Sequence, residues 1–331
     1  MDLILPAGNL PSLKAAVEHG ASAVYIGFRD DTNARHFGGL NFTGSQAARG
    51  IAHAHDRGVR VLAAVNTYAQ ADGWSRWTHA VDRAADLGVD ALILADIGLM
   101  DYARERHPDL RLHLSVQGSA TSAEAIAFYH RRFGIRRAVL PRVLSLAQIR
   151  RVARASPVEI EVFGFGSLCV MVEGRCLLSS YVTGRSPNTF GACSPADAVR
   201  WKETPEGRES RLNGVLIDRY GPQEHAGYPT LCKGRFHACD RDYYALEEPA
   251  SLNTLDLLPQ LDAAGVQAIK IEGRQRSPAY VALVARVWRD ALDAHANEGQ
   301  GFKVRPQWAQ ALSTLSEGAQ TTFGAYERSW Q

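Results

Sequence analysis

Cysteine is absent from most of this 331-residue chain, because all five cysteines lie between positions 169 and 239. Long apolar runs are absent as well, so no transmembrane helix is expected. The N-terminus, MDLILPAGNL, lacks the basic and apolar regions of a signal peptide. We therefore expect a cytoplasmic protein, in which disulfides are rare and grouped cysteines bind a metal or react.

The sequence also has almost no excess charge, since 37 Lys and Arg residues oppose 35 Asp and Glu residues. This balance argues against a basic nucleic-acid-binding surface, and we predict no nucleic-acid partner. The motifs H-E-x-x-H and G-x-S-x-G do not occur, which argues against a zinc peptidase or a serine hydrolase. What is present, 46% hydrophobic and 22% charged residues, is enough to build a globular core.

Short apolar runs alternate with longer amphipathic segments along the chain. Eight such runs predict strands, at 3–5, 23–27, 60–66, 91–95, 111–115, 137–141, 158–163 and 267–273. The most apolar segment, ALILADIGLM, carries Asp96 in its middle and reads as a buried strand. Apolar strands alternating with helices indicate a parallel sheet covered by helices. Eight such units predict an α/β fold of the TIM-barrel-like (β/α)8 kind, with a doubly wound open sheet as the alternative.

In this arrangement the barrel occupies residues 1–298, and residues 299–331 form a small appended segment. A long insertion carrying the cysteines, 164–240, follows strand seven and lies at the C-terminal face, where such barrels hold their active sites. Polar residues just past the predicted strands indicate the same face, although each could instead cap a helix. They are Asn9, Asn66, Asp96, Ser115, Gln117, Arg142, Glu272 and Arg274.

The cysteine spacing is Cys169-x6-Cys176-x16-Cys193-x38-Cys232, and Cys239 follows after six more residues. Zinc sites typically use close cysteine pairs, whereas iron–sulfur clusters accept wider spacings. The spacing favours an iron–sulfur cluster. A zinc site, or buried and unreactive thiols without a metal, are the alternatives.

Residues around the cysteines fit a charged ligand. Gly164 and Gly166 would let the backbone approach a bulky ligand. Four basic residues close in sequence would offset thiolate charge, namely Arg175, Arg185, Lys233 and Arg235.

Several segments together resemble the collagenase-like peptidase family. They include PAGNLPSLKAAVEHGASAVYIG, FGSLCVMVEGRCLLSSYVTGRSPNTFGACSPA, GYPTLCKGR and KIEGRQRSPAYV. The likeness starts at about residue 2, extends to the C-terminal GAYERSWQ, and is densest around the cysteines. There it is strongest to family members that act in ubiquinone biosynthesis.

The resemblance implies a 4Fe–4S cluster bound by Cys169, Cys176, Cys193 and Cys232. Cys239 lies outside the motif, and its replacing Cys232 as the fourth ligand is the less favoured alternative. It implies oxygen-independent hydroxylation of the aromatic ring of ubiquinone precursors, with prephenate as hydroxyl donor. The partners it implies are a related UbiV-like subunit, forming a heterodimer, and a lipid-carrier protein. Four cysteine ligands would leave no iron open to substrate, so we expect the cluster to act by electron transfer or structurally.

Prephenate carries two carboxylates, which arginines bind well, so Arg142 and Arg274 are predicted to bind substrate. Either could instead form a structural ion pair. His36, His113 and Asp96 are candidates for proton transfer, and His113 fits a core histidine better. The competing functions are a peptidase, a hydroxylase of RNA bases like related family members, and a non-enzymatic scaffold that holds a partner.

Overall fold

A computed structural model describes residues 1–224 and 226–327. The strands are β1 (Asp2–Pro6), β2 (Ala23–Gly27), β3 (Arg60–Val65), β4 (Ala91–Leu94), β5 (Leu112–Leu114), β6 (Arg137–Val139), β7 (Glu159–Ser167), β8 (Val199–Thr204), β9 (Gly207–Leu212), β10 (Val215–Tyr220), β11 (Arg235–Ala238), β12 (Arg241–Tyr244), β13 (Ser251–Asn253), β14 (Ala268–Ile271) and β15 (Thr321–Thr322). The helices are α1 (Leu10–Glu18), α2 (Gly44–His55), α3 (Trp74–Asp86), α4 (Ile97–Arg106), α5 (Ala123–Phe133), α6 (Leu146–Ala155), α7 (Leu178–Thr183), α8 (Pro187–Phe190), α9 (Leu258–Ala263), α10 (Pro278–Glu298) and α11 (Pro306–Leu315).

Within the described residues, eight parallel strands close into a barrel. β1 to β7 pair in sequence order, and β14 lies between β7 and β1. Where the barrel closes, Ala268 of β14 pairs with Asp2 of β1 on one side and with Glu161 of β7 on the other. This closure confirms the predicted TIM-barrel-like fold and rules out the open sheet.

The strands are apolar throughout because both of their faces are buried. Alternate residues point into the barrel, where Ile4, Tyr25, Leu62 and Ile93 belong to one buried cluster. The residues between them belong to the larger core under the surrounding helices. A parallel barrel therefore explains why these segments show no polar face.

Capping residues mark the helix boundaries. Asn9 caps α1, Thr43 and Ser145 form capping boxes with α2 and α6, and Asp96 caps α4. Asp96 also corrects one prediction, because segment 91–100 is not a single strand. It divides into β4 and the start of α4 at this residue, whose side chain accepts a hydrogen bond from the Leu99 amide at 3.0 Å.

Between β7 and β14 the chain leaves the barrel. The excursion contains α7 and α8, an antiparallel sheet of β8, β9 and β10, and the hairpin of β11 and β12. β13 then returns antiparallel to the end of β7. These antiparallel strands did not form part of the sequence prediction.

The C-terminal segment packs beside this excursion. α11 follows the last barrel helix, and β15 pairs with β13. The buried Tyr326 hydroxyl donates to the Phe163 carbonyl of β7 at 2.9 Å. Residues 328–331 of the predicted appended segment lie outside the described residues. No helix in the described ranges is long and apolar enough to cross a membrane.

Candidate functional site

Four cysteines lie above the C-terminal ends of the barrel strands. Cys169 follows β7, Cys176 precedes α7, Cys193 follows α8, and Cys232 lies in the short helical turn Leu231–Lys233. All four are partly buried. The fold therefore collects on one loop region thiols that are far apart in sequence.

The four thiols are close enough to influence one another electrostatically. Burial, together with the neighbouring thiols of Cys232, Cys169 and Cys176, raises the pKa of Cys193 to about 12, although Arg35 opposes this shift. Burial also raises the pKa of Cys169 to about 11, with Cys232 among its neighbours. Thiolates at these positions would need compensating positive charge, which a bound metal centre supplies.

Cys239 is separate from this group. It is exposed and occupies the two-residue turn between β11 and β12 together with Asp240. Both turn residues have positive φ, 51° and 59°, as a tight type I′ hairpin turn requires. The position of Cys239 at a hairpin tip accounts for its exposure.

The glycines before Cys169 have a packing role in the barrel wall. A Cβ on Gly164 would lie 2.4 Å from Ile269 and 2.9 Å from Trp288, in β14 and α10. Gly166 has a φ of 121°, and a Cβ there would lie 2.7 Å from the carbonyl oxygen of Glu272. Both glycines let β7 pack closely against its neighbours, and the close approach of this backbone to a ligand stays a prediction.

Only part of the predicted basic environment reaches the thiols. Lys233 lowers the pKa of Cys232, although burial raises it more strongly. Arg235 instead pairs with Asp218 at 2.7 Å, and the exposed Arg185 pairs with Asp197.

The cation that sequence analysis missed is Arg35, in the loop after β2. Burial would lower its pKa, but Glu272 and the thiols of Cys193 and Cys169 raise it above the ordinary value. Its Nε lies 3.4 Å from Glu272 Oε1. Arg35 thus stands between the thiols and the barrel interior. The segment DDTNARHFGGLNF contains it, but nothing in the local pattern distinguishes Arg35 from other loop arginines.

Below Arg35, the barrel holds a cavity of about 50 Å³ near the C-terminal ends of the strands. Six of the eight polar residues predicted at the strand ends line it: Asn66, Ser115, Gln117, Arg142, Glu272 and Arg274. Asn9 and Asp96 instead cap α1 and α4. Arg35, Tyr25 and Lys270 complete the polar lining. The thiols and this cavity therefore lie at the same end of the barrel.

Arg142 is held by a structural ion pair. Its Nε donates to Glu173 Oε1 at 2.7 Å, and both side chains are 3% exposed. Its Nη1 donates to the Ser167 carbonyl at 2.5 Å, and its guanidinium lies 4.2 Å from the centre of the Phe163 ring. Glu173 lies between Cys169 and Cys176 in sequence, so this pair anchors the start of the cysteine segment to the barrel.

Arg274 has a different environment. Its Nη1 donates to Asn33 Oδ1 at 2.9 Å, while its buried Nε has no hydrogen-bond partner among residues 1–224 and 226–327. No carboxylate in these ranges lies within salt-bridge distance of it, whereas Arg35 is paired with Glu272. Burial lowers the pKa of Arg274 to about 10, so it is still charged at neutral pH. Of the two predicted substrate-binding arginines, it is the one whose buried charge is not neutralised.

The three predicted proton-transfer residues have separate positions. His113 is buried in β5, accepts a hydrogen bond from Arg111 at 3.0 Å, and has its pKa held well below the ordinary value by burial. Asp96 is engaged as the cap of α4. Neither lines the cavity described above. His36 packs beside Gly191, near the cysteine segment, where a Cβ on that glycine would lie 3.0 Å from the His36 Cβ.

Comparison with known proteins gives consistent matches along the chain. The profile of Peptidase family U32 matches residues 8–329. The tRNA hydroxylation protein P1 of Bacillus subtilis is 30% identical over 314 residues, which are 94% of this chain and 67% of that protein. The tRNA hydroxylation protein P of Escherichia coli is 32% identical over 313 residues, 88% of this chain and 68% of that protein. A collagenase of Porphyromonas gingivalis is 29% identical over 325 residues, 95% and 70% respectively. The chain thus spans about two thirds of the length of these relatives.

Proposed function

Because the chain belongs to peptidase family U32, we propose that it acts as a UbiU-like subunit of an oxygen-independent hydroxylase. Its substrates would be the aromatic rings of ubiquinone precursors, and a UbiV-like subunit would complete a heterodimer. The observation that carries this proposal is the group of four interacting thiols at the same barrel end as a cavity with an unneutralised arginine. A peptide-bond hydrolase would not need four grouped thiols.

The cysteine group fits a 4Fe–4S cluster held by Cys169, Cys176, Cys193 and Cys232. Four partly buried thiols are the complete protein ligand set of such a cluster. Within the described residues, no three His, Cys, Asp or Glu side chains converge closely enough to hold a single ion. In a cluster each cysteine binds a different iron, which requires wider separation of the sulfurs. A bound cluster would supply one-electron transfer, and ring hydroxylation is an oxidation of the substrate.

The cavity supports a carboxylate-bearing donor such as prephenate. A buried guanidinium with an unpaired Nε is stabilised by a carboxylate, which forms strong charge-assisted hydrogen bonds. We assign this role to Arg274 and a structural role to Arg142. The proposal thus replaces the predicted pair of arginine ligands with one.

The first test is metal analysis of anaerobically purified protein. We expect about four irons and four sulfides per chain, as a 4Fe–4S cluster requires. Cys232→Ala should lose the cluster, whereas the matched variant Cys239→Ala should keep it, because Cys239 is exposed at a hairpin tip. Zinc in place of iron, or cluster loss only in Cys239→Ala, would contradict the assignment.

The second test is ring hydroxylation by the heterodimer with a UbiV-like subunit, with and without a lipid-carrier protein. We expect activity that requires prephenate and falls on the order of 100-fold in Arg274→Gln, the loss of one charged hydrogen bond pair. His79→Gln is a suitable control, because His79 lies on α3 away from the cavity lining. Activity without prephenate would contradict the donor assignment.

Hydroxylation of RNA bases is the second candidate, because two of the relatives are named as tRNA hydroxylation proteins. Mass spectrometry of total RNA from a deletion strain separates the two functions. Loss of a hydroxylated nucleoside, with ubiquinone unchanged, would favour RNA as the substrate. A casein digestion assay on wild type and Cys169→Ser tests the peptidase alternative suggested by the relative named collagenase.

A further inference from the structure

Lys270 is a primary amine inside the barrel. It lies on β14, its side chain is 7% exposed, and it lines the cavity that also contains Arg274. Its Nζ lies 2.7 Å from Glu161 Oε1 and 4.0 Å from the centre of the Tyr25 ring. A long cationic side chain in this position is costly to bury, and the proposed roles of the cysteines and of Arg274 do not account for it.

Lys270 and Arg274 share one wall of the cavity. The Arg274 guanidinium lies 5.6 Å from the centre of the same Tyr25 ring. The Nε of Arg274 has no partner in the described part of the chain, so this guanidinium can still receive an anion. One small molecule in the cavity can therefore meet an amine and a guanidinium together.

The surroundings of Lys270 favour a reactive amine. Burial lowers its pKa, Glu161 opposes this effect, and Arg274 and Arg137 reinforce it. A desolvated lysine beside other cations is the arrangement that makes the amine nucleophilic. Glu161 is 1% exposed and is close enough to take the proton that Lys270 must lose.

We propose that this cavity binds a 2-oxo acid, with the carboxylate on Arg274 and the keto carbon bonded to Lys270 as an imine. Glu161 takes one proton from the Lys270 ammonium, and the free amine attacks the keto carbon, forming the C–N bond as the carbonyl π pair moves to oxygen. A second amine proton passes to that oxygen and gives a carbinolamine. Glu161 then returns its proton to the departing hydroxyl, so the products are a protonated imine and one water.

This inference deepens the proposed function and rests on it, since the cavity is taken to bind the hydroxyl donor and prephenate carries a 2-oxo acid side chain. The cavity of about 50 Å³ is small and suits that side chain rather than a whole polyprenyl quinone precursor. The remainder of the donor would extend toward Arg35 and the thiols at the cavity mouth. Imine formation would hold the donor in one orientation during the reaction.

The test uses the anaerobically purified full chain with pyruvate as the probe and borohydride to reduce any imine. Peptide mass mapping then locates the reduced adduct on one of the chain's five lysines. We expect Lys270 to be labelled on the order of tenfold more than the other four, because it alone adjoins a carboxylate-binding arginine. The internal controls in the same sample are Lys14, Lys202, Lys233 and Lys303.

Variants and a second probe sharpen this test. Lys270→Arg keeps the charge opposite Glu161 and should remove the adduct, while Arg274→Gln should reduce it on the order of tenfold by weakening carboxylate binding. Acetone, which lacks the carboxylate, should label Lys270 much less than pyruvate does. Mapping of the wild-type protein decides the result even if a variant fails to fold.

Three other outcomes overturn the inference. Labelling spread evenly over the five lysines means that the Lys270 amine is no more reactive toward pyruvate than the others. A rise in melting temperature with pyruvate but no adduct means that Lys270 is only a counter-ion. Neither a melting shift nor an adduct means that the cavity takes no 2-oxo acid. A Lys270 adduct in a protein that does not hydroxylate ubiquinone precursors would refute the proposed function and leave the imine site intact.

Discussion

Replacing Arg142 with methionine should destabilise the fold strongly, because the change leaves Glu173 buried without its partner. Both side chains are 3% exposed, and 2.7 Å separates Arg142 Nε from Glu173 Oε1. Removing one member of a buried ion pair costs about 3–5 kcal/mol. The loss of the 2.5 Å bond to the Ser167 carbonyl acts in the same direction. We therefore expect the free energy of unfolding of Arg142→Met to fall by at least about 3 kcal/mol.

Urea unfolding followed by circular dichroism measures this change in metal-free protein. The matched control is Arg208→Met, since Arg208 also pairs at 2.7 Å, with Glu203, but the two side chains are 51% and 72% exposed. That variant should stay within about 1 kcal/mol of wild type. The double variant Arg142→Met with Glu173→Met should regain most of the stability, because it removes both buried charges.

Equal small losses in Arg142→Met and Arg208→Met would refute the reasoning, because they would mean that Glu173 is solvated once Arg142 is removed. A stable Arg142→Met protein that had lost prephenate-dependent activity would instead restore Arg142 to the predicted role of substrate ligand.

Three further predictions follow from the same end of the barrel. Gly166→Ala should lower the free energy of unfolding in urea more than Gly134→Ala does. The Gly134 variant should lose only about 1–2 kcal/mol, for its positive φ, because nothing lies within 4 Å of the added Cβ. At Gly166 the added Cβ would also lie 2.7 Å from the carbonyl oxygen of Glu272. Burial alone would raise the pKa of Glu272, but the charges of Arg35 and Arg142 hold it below the ordinary 4.5. The Glu272 carboxylate therefore stabilises the fold above pH 4.5, and this contribution is lost as the pH falls through the lower pKa of the folded state. The stability difference between wild type and Glu272→Gln should accordingly shrink in acid, and a constant difference would contradict this. Arg35→Gln should shift the reduction potential of the bound cluster to more negative values in an anaerobic redox titration, because a cation near the thiols is lost. An unchanged potential would mean that the Arg35 charge does not act on the cluster.

The barrel could be predicted because its signals are local. Strands buried on both faces must be apolar throughout, and glycines such as Gly134 end helices with a positive φ of 69°. The same logic failed at residues 91–100, where the apolar residues of β4 continue into α4. The residues on both sides of Asp96 are apolar, so composition does not separate β4 from α4. The boundary is set by Asp96, whose side chain caps α4 by accepting a hydrogen bond from the Leu99 amide at 3.0 Å.

The antiparallel strands of the excursion were harder to predict. β8, β11 and β12 bury none of their residues, and β9 and β10 bury polar residues such as Ser210 and Asp218, so these strands lack the continuous apolar pattern of the barrel strands. Their pairing depends on turns such as Cys239–Asp240, a dipeptide that does not by itself indicate a hairpin. The same turn explains the exposure of Cys239, which spacing alone could not separate from the other thiols.

The sequence by itself determined the eight-unit barrel, the face on which the polar strand ends meet, and the cysteines available there, because these depend on periodicity and on the order of residues along the chain. Only the tertiary structure decided which buried charges neutralise one another. Arg142 and Arg274 look alike in sequence, but Glu173 reaches the first and no carboxylate in the described residues pairs with the second. These contacts join segments more than thirty residues apart, as in the pairs of Arg142 with Glu173 and of Lys270 with Glu161. The position of Arg35 beside the thiols of Cys169 and Cys193 has the same origin.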